Sequence, residues 1–300
     1  MVAPERTEVR VGERTLGLSN LDKVLYPEAG FTKADVIRYA VECAPVMLAH
    51  VGDRALTLRR FPDGVDGQSF FEKRCPSHRP GWIGTALGPG DRSGDIGYCL
   101  LSEVAALAWA ANMAAIELHA PMARAADIES PTMVVFDLDP GEPAAMTECA
   151  QVGLKLRETL GLLGLELFPK TSGSKGLQCY VPLNSPCTHD RAKAFAQAIA
   201  QMLEKQDPKR ITSVMAKRAR TGKVFIDWSQ NSRHKTTIAA YSLRARPRPT
   251  VSTPVTWDEV AAAADGSTLS FEAPDVLARI DELGDLFAPT TTLVQELPGG

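Results

Sequence analysis

Two apolar strands that each end in aspartate constrain this chain more than any other feature. In TMVVFDLDP a β-branched and apolar run stops at Pro140, as a strand does when it meets a residue with no N–H for the ladder. Residues i and i+2 of a strand point to one face. Asp137 and Asp139 therefore stand together, and Phe136 and Leu138 take the opposite face. KVFIDWS repeats the pattern, with Val224, Ile226 and Trp228 on one face and Phe225 and Asp227 on the other. Strands of this kind alternate with helical stretches, which predicts an α/β chain: a mixed-sheet catalytic core flanked by helices.

The helical stretches have recognisable ends. Thr32 is an N-cap for one helix through TKADVIRYAVECAPVMLAHV, whose apolar residues recur near helical period. ALTLRRFPDG reads as a strand running into a Pro-Asp-Gly turn. Residues 76–97 read as irregular or hairpin-like, and 103–116 as an Ala-rich helix. AAMTECAQVGLKLRETLGLLG is a further helix ending near Gly164. LELFPKT and LQCYVPL are strands on either side of a Gly/Ser turn, followed by a long helix over 190–205. The expectation is one domain over 1–300, with about 1–15 and 289–300 as flexible ends.

Composition narrows the class. Hydrophobic residues make up 44% and charged residues 23%, ordinary for a globular protein. No apolar run reaches membrane-spanning length, and the charged start MVAPERTEVRVGERT is not a secretory signal. Six scattered cysteines without a C-x-x-C pair read as free thiols in a reducing cytoplasm. Cys75 and His78 have ligand-like spacing but no second pair to close a zinc site. The net charge of −3 argues against nucleic acid, but its distribution argues for it. Residues 209–248 carry eleven Lys and Arg and a single acid, Asp227, and a local basic surface is what phosphate binding needs.

Two carboxylates as close as Asp137 and Asp139 repel unless a proton or cation sits between them. A hard dication such as Mg²⁺ or Mn²⁺ suits their oxygens, and a pair of such ions serves phosphoryl transfer. The alternative is a D-x-D on a solvated strand edge. Asp227 is open in the same way, either a third ligand or an ion-pair partner for a nearby base. In Thr171-Ser172-Gly173-Ser174-Lys175-Gly176, backbone N–H groups, hydroxyls and a cation can converge on a phosphate, or the segment is an ordinary turn. His119 shares a strand face with Glu117, which suits either a structural or a functional role.

Taken jointly, FDLDP, TSGSKG and VFIDWSQN resemble the three motifs of the archaeo-eukaryotic primase superfamily, and most closely the polymerase domain of bacterial DNA ligase D. The likeness runs from about Leu18 to Arg248. It implies that Asp137, Asp139 and Asp227 hold two Mn²⁺ or Mg²⁺ ions, with no organic cofactor. Ser172 and Lys175 would hold the triphosphate of an incoming nucleotide. Arg59, His119 and Gln230 would contact that nucleotide, and Arg244 and Arg246 would add positive charge near the triphosphate or DNA. Asn20, Lys23 and Lys33 match a pocket for the 5′-phosphate beyond a DNA gap. Phe70 and Phe71 match aromatics that stack on template bases, and Arg220 matches a loop near the primer terminus. As adjacent strand residues, Phe70 and Phe71 cannot both face one core.

The implied activity is template-dependent nucleotide addition at DNA ends, with ribonucleotides readily accepted, in non-homologous end joining. A Ku-type end-binding protein and a DNA ligase are implied partners, in the cytoplasm of a bacterium and with no membrane role. A de novo primase, a non-catalytic DNA-end bridging module and a two-metal phosphohydrolase are the alternatives.

Overall fold

The structure, a computed structural model, describes residues 6–90 and 94–299. The chain divides into two compact units, each assembled from three stretches. The first takes Met1–Ala120, Tyr241–Val251 and Phe271–Gly284; the second takes Pro121–Ala240, Ser252–Ser270 and Asp285–Gly300. The architecture is α/β with a mixed sheet, as the strand and helix patterns predict.

In the second unit a five-stranded sheet runs in the order Phe168–Thr171, Leu177–Pro182, Met133–Pro140, Val224–Asp227, Ile211–Thr212. All neighbours pair antiparallel except the last two strands, which are parallel. Helices Met146–Gly161 and His189–Gln206 cover the face that carries Phe136 and Leu138. Phe195 meets Phe136 edge-on, with centroids 6.5 Å apart. Gly153 lets the other helix approach closely, since a Cβ there would lie 2.9 Å from Leu177 Cδ2. Burying side chains such as Phe136, Leu138 and Leu177 stabilises the sheet by roughly 1.5–3 kcal/mol each. Asp137 and Asp139 are left on the opposite face.

In the first unit, strand Thr57–Arg60 lies between Ala115–Pro121 and Phe70–Glu72, antiparallel to both. Thr32 caps helix Lys33–Glu42 as expected: its Oγ1 accepts from Asp35 N–H, and Asp35 Oδ2 accepts from Thr32 N–H. The long helix expected there is two. It stops at Cys43, and a new helix, Ala44–Val51, starts with Pro45 in its first turn, the helical position where a missing N–H costs least. The Ala-rich helix is shorter than expected, Val104–Asn112, because Ala114 turns the chain at φ 56° into the strand Ala115–Pro121.

Other expectations also give way. Cys75 and Cys99 are not free thiols: they form a disulfide with Cα atoms 4.8 Å apart. This also takes Cys75 out of any pairing with His78 on a metal. Cys43, Cys149, Cys179 and Cys187 take part in no disulfide among the described residues. The ends are structured over their described residues. Arg6–Val11 pairs with Arg14–Ser19 as a hairpin, and Pro289–Thr292 is a helical turn. Beyond that turn, Gln295 N–H donates to Leu183 O. Among the described residues, no helix is long and apolar enough to cross a membrane.

Candidate active site

Register places the three aspartates. Asp137 sits directly opposite Asp227 on the neighbouring strand, and Asp139 lies two residues further on the same face. Burial, then the charges of Asp139 and Asp227, push the Asp137 carboxyl well above the usual carboxylate range, against a hydrogen bond from Gln178 and the charge of Lys170. Among the described residues Asp227 is not paired with a base, the alternative the sequence left open. Its Oδ1 accepts from Ser229 N–H (3.0 Å) and Ser229 Oγ (2.6 Å), and its Oδ2 accepts from Gln230 Nε2 (3.1 Å). Gln230, predicted to touch the nucleotide, thus orients an acid.

Among the described residues, no three His, Cys, Asp or Glu side chains form a preformed metal cage. The donor set nevertheless fits a hard dication. It consists of carboxylate oxygens crowded on one face, one of them driven toward its protonated form by burial and then by the others, and a cation relieves that repulsion.

The Ser172–Gly176 turn follows the strand Phe168–Thr171. Ser172 N–H donates to Gly176 O (2.9 Å), and Ser172 Oγ accepts from the N–H groups of Ser174 (3.3 Å) and Gly176 (3.1 Å). Two amides expected to face a phosphate are thus gathered on the serine's own hydroxyl. Lys175 is exposed and paired with Glu142 at 2.7 Å. Gly176 permits a very close approach: a Cβ there would lie 2.3 Å from Leu138 O and 3.6 Å from Asp139 Oδ1. Arg220 stacks over Phe225, its guanidinium carbon 3.6 Å from the ring centroid, and its buried Nε has no hydrogen-bond partner among the described residues.

The other predicted residues lie in the first unit, where several gather on a carboxylate whose role the sequence left open. Glu117, 1% exposed, accepts from Arg59 Nη1 (3.2 Å), Arg244 Nε (3.1 Å) and Ala245 N–H (3.1 Å), and meets His119 Nε2 at 3.0 Å. Burial alone would raise its pKa. The His119 hydrogen bond and the Arg244 charge instead bring it down to about 2. Phe71 meets the His119 ring edge-on at 5.5 Å, and the Arg59 guanidinium lies 5.1 Å from the Phe71 ring. Phe70 and Phe71 are both exposed, at 44% and 57%, although strand alternation requires only one of them to be. Arg246 is exposed beyond the cluster.

Asn20, Lys23 and Lys33 are brought together by backbone bonds. Lys33 N–H donates to Lys23 O (2.8 Å) and Lys23 N–H to Asn20 O (3.1 Å). Lys33 is buried, and its Nζ donates to Ser19 O (2.6 Å). Burial, then the charges of Lys23 and Arg60, lower its pKa to about 8. Lys23 is ion-paired with Asp63 at 2.8 Å.

Comparisons with known proteins bear on the family and the fold as a whole. The family model described as "LigD, primase-polymerase domain" matches residues 32–287. The chain belongs to the LigD primase-polymerase family. It is 45% identical over 276 residues to the multifunctional non-homologous end joining protein LigD of Mycolicibacterium smegmatis, covering 91% of this chain and 35% of that protein. With the bifunctional LigD of Bacillus subtilis the identity is 29% over 270 residues, covering 90% of this chain and 43% of that protein. The chain thus spans between a third and a half of these relatives' lengths. The solved polymerase domain of Mycobacterium tuberculosis ligase D, in complex with DNA, superposes with a TM-score of 0.87 at 42% identity, over 93% of this chain and 99% of that one. By class, this LigD primase-polymerase domain is a DNA-directed nucleotidyltransferase.

Proposed function

We propose that this domain fills gaps and extends broken ends of DNA during non-homologous end joining, adding nucleotides under template direction and accepting ribonucleotides readily. The observation that carries this reading is the cross-strand pair Asp137 and Asp227, with Asp139 on the same face and, among the described residues, no base paired to Asp227. Two Mn²⁺ or Mg²⁺ ions held by these acids would screen the triphosphate and activate the attacking hydroxyl. The primer 3′-oxygen attacks the α-phosphorus in line, loses its proton, and pyrophosphate departs.

The chain's own residues bind and orient. Lys175 exchanges its exposed Glu142 partner for the triphosphate, and Ser172 contacts the triphosphate beside it. Arg59, His119 and Arg244, held by Glu117, and Arg246 contact the nucleotide or DNA. Arg220, whose Nε lacks a partner among the described residues, serves the primer terminus. Phe70 and Phe71 stack on template bases. Phe71 also lines an open depression with Lys73, Arg74 and His78, a combination of ring and charge suited to single strands. Asn20, Lys23 and Lys33 receive the 5′-phosphate, and the charges of Lys23 and Arg60 beside Lys33 make the place suited to an anion. A Ku-type protein and a ligase are the proposed partners, in keeping with the end-joining names of the relatives.

The test is extension on a gapped duplex with and without the 5′-phosphate, comparing ribo- with deoxynucleotides and Mn²⁺ with Mg²⁺. Templated addition that is faster with the phosphate is expected. Extension indifferent to that phosphate favours a de novo primase, and nucleotide hydrolysis without a template would sink the polymerase reading.

A further inference from the structure

A single polar row crosses the sheet of the second unit. Lys170 lies opposite Gln178, Gln178 opposite Asp137, and Asp137 opposite Asp227, on four successive strands. Directly opposed residues share a face, so the four side chains stand in line. At one end is a cation with 1% exposure; at the other are the acids. Lys170 Nζ donates to Gln178 Oε1 (2.5 Å), Ser252 Oγ (2.6 Å) and Ile238 O (3.0 Å). Gln178 Nε2 in turn donates to Asp137 Oδ1 (3.0 Å).

An amide side chain can present either end to a neighbour, and its partners decide which. An ammonium has three donors and no lone pair, so Lys170 can meet only the oxygen of Gln178. The Tyr180 hydroxyl donates to the same oxygen at 3.2 Å. With the oxygen held from two sides, the N–H₂ end must face Asp137, where it fixes the rotation of the carboxylate. Nothing in a simple core needs this. A buried lysine is costly, and an apolar residue opposite an apolar residue would pack the same space.

We propose that Lys170 is a positioning residue for nucleotidyl transfer: by holding the oxygen of Gln178 it turns the amide so that its N–H locks the Asp137 carboxylate in the orientation a metal ion requires. This rests on the reading of Asp137 as a metal ligand, which is tested separately. If the wild type extends a gapped primer with Mn²⁺ and Asp137→Ala does not, that reading stands whatever the other variants do.

The positioning role is tested with Gln178→Met, Lys170→Gln and the double variant, each checked for an intact melting transition. Lys170→Gln keeps a polar group at the position, but it can offer Gln178 either end of an amide. Each single change is expected to lower kcat about tenfold or more, with KM for the nucleotide and DNA affinity unchanged. The double variant is expected to be no slower than the slower single one, because the two residues act in series. Losses that multiply, a KM change of equal size, or wild-type kcat in either single variant would overturn the proposal. If Lys170→Gln does not fold, Lys170→Arg decides. Its donor-only guanidinium preserves the selection, so it must keep kcat within about threefold of wild type while Gln178→Met does not, and a larger loss counts against the proposal.

Discussion

Asp137 and Glu117 are both buried carboxylates on strands, and their surroundings drive them in opposite directions. Glu117 is bound by two arginines, a histidine and a backbone amide, and it stays ionised down to about pH 2. Asp137 faces two other acids and receives one neutral donor, so burial and repulsion push it up. The same chemical group is complete within the chain at one place and incomplete at the other. A complete carboxylate organises its neighbours; an incomplete one is suited to a cation from outside.

Each side of that contrast can be broken. Asp137→Ala has the largest expected effect, a loss of templated extension of about a thousandfold or more, with the melting temperature unchanged or raised as repulsion is relieved. A large drop in stability would mean that Asp137 is structural after all. Glu117→Gln should do the reverse. It leaves Arg59 and Arg244 against a neutral amide and should cost about 2–4 kcal/mol, read as a fall in Tm. Because its folded pKa of about 2 lies below the ordinary 4.5, the contribution of Glu117 is complete above the ordinary value and is lost as pH falls through about 2. Acid unfolding of the Gln variant should lack that component.

Phe71→Ala tests whether the arginine–histidine cluster presents an aromatic to DNA. Binding of templates with unpaired bases should weaken by about 1–3 kcal/mol, measured by fluorescence anisotropy, with Tm nearly unchanged. The smallest effect is a pH dependence at Lys33. Its pKa of about 8 means that the charge is present below that value and is lost as pH rises through it. The preference for 5′-phosphorylated over 5′-hydroxyl gaps should therefore shrink severalfold above about pH 8. In Lys33→Ala the preference should already be small and flat with pH.

Much of this was legible in the sequence because it is local. A two-residue alternation puts Asp137 and Asp139 on one face, and Thr32 with Asp35 announces a helix start. The Glu117 cluster was not legible, since Arg244 lies 127 residues away and only tertiary folding brings it in. The Lys170–Gln178 link left a faint trace as lone polar residues within apolar strands, but Ser252, which completes it, is 82 residues from Lys170. The Cys75–Cys99 disulfide joins cysteines 24 residues apart, and compartment reasoning from composition pointed the other way. The helix break at Cys43 was in view as Pro45, and regular apolar spacing concealed it.

Gly176 has a consequence for how far this site can vary. The turn proposed to hold the triphosphate is pressed against the backbone of the strand bearing the acids, with no room for even one carbon between Gly176 and Leu138 O. The distance between the proposed phosphate and metal grips is therefore set by contact between main chains. Side-chain exchange can alter what each end grips, but not how far apart the two grips stand.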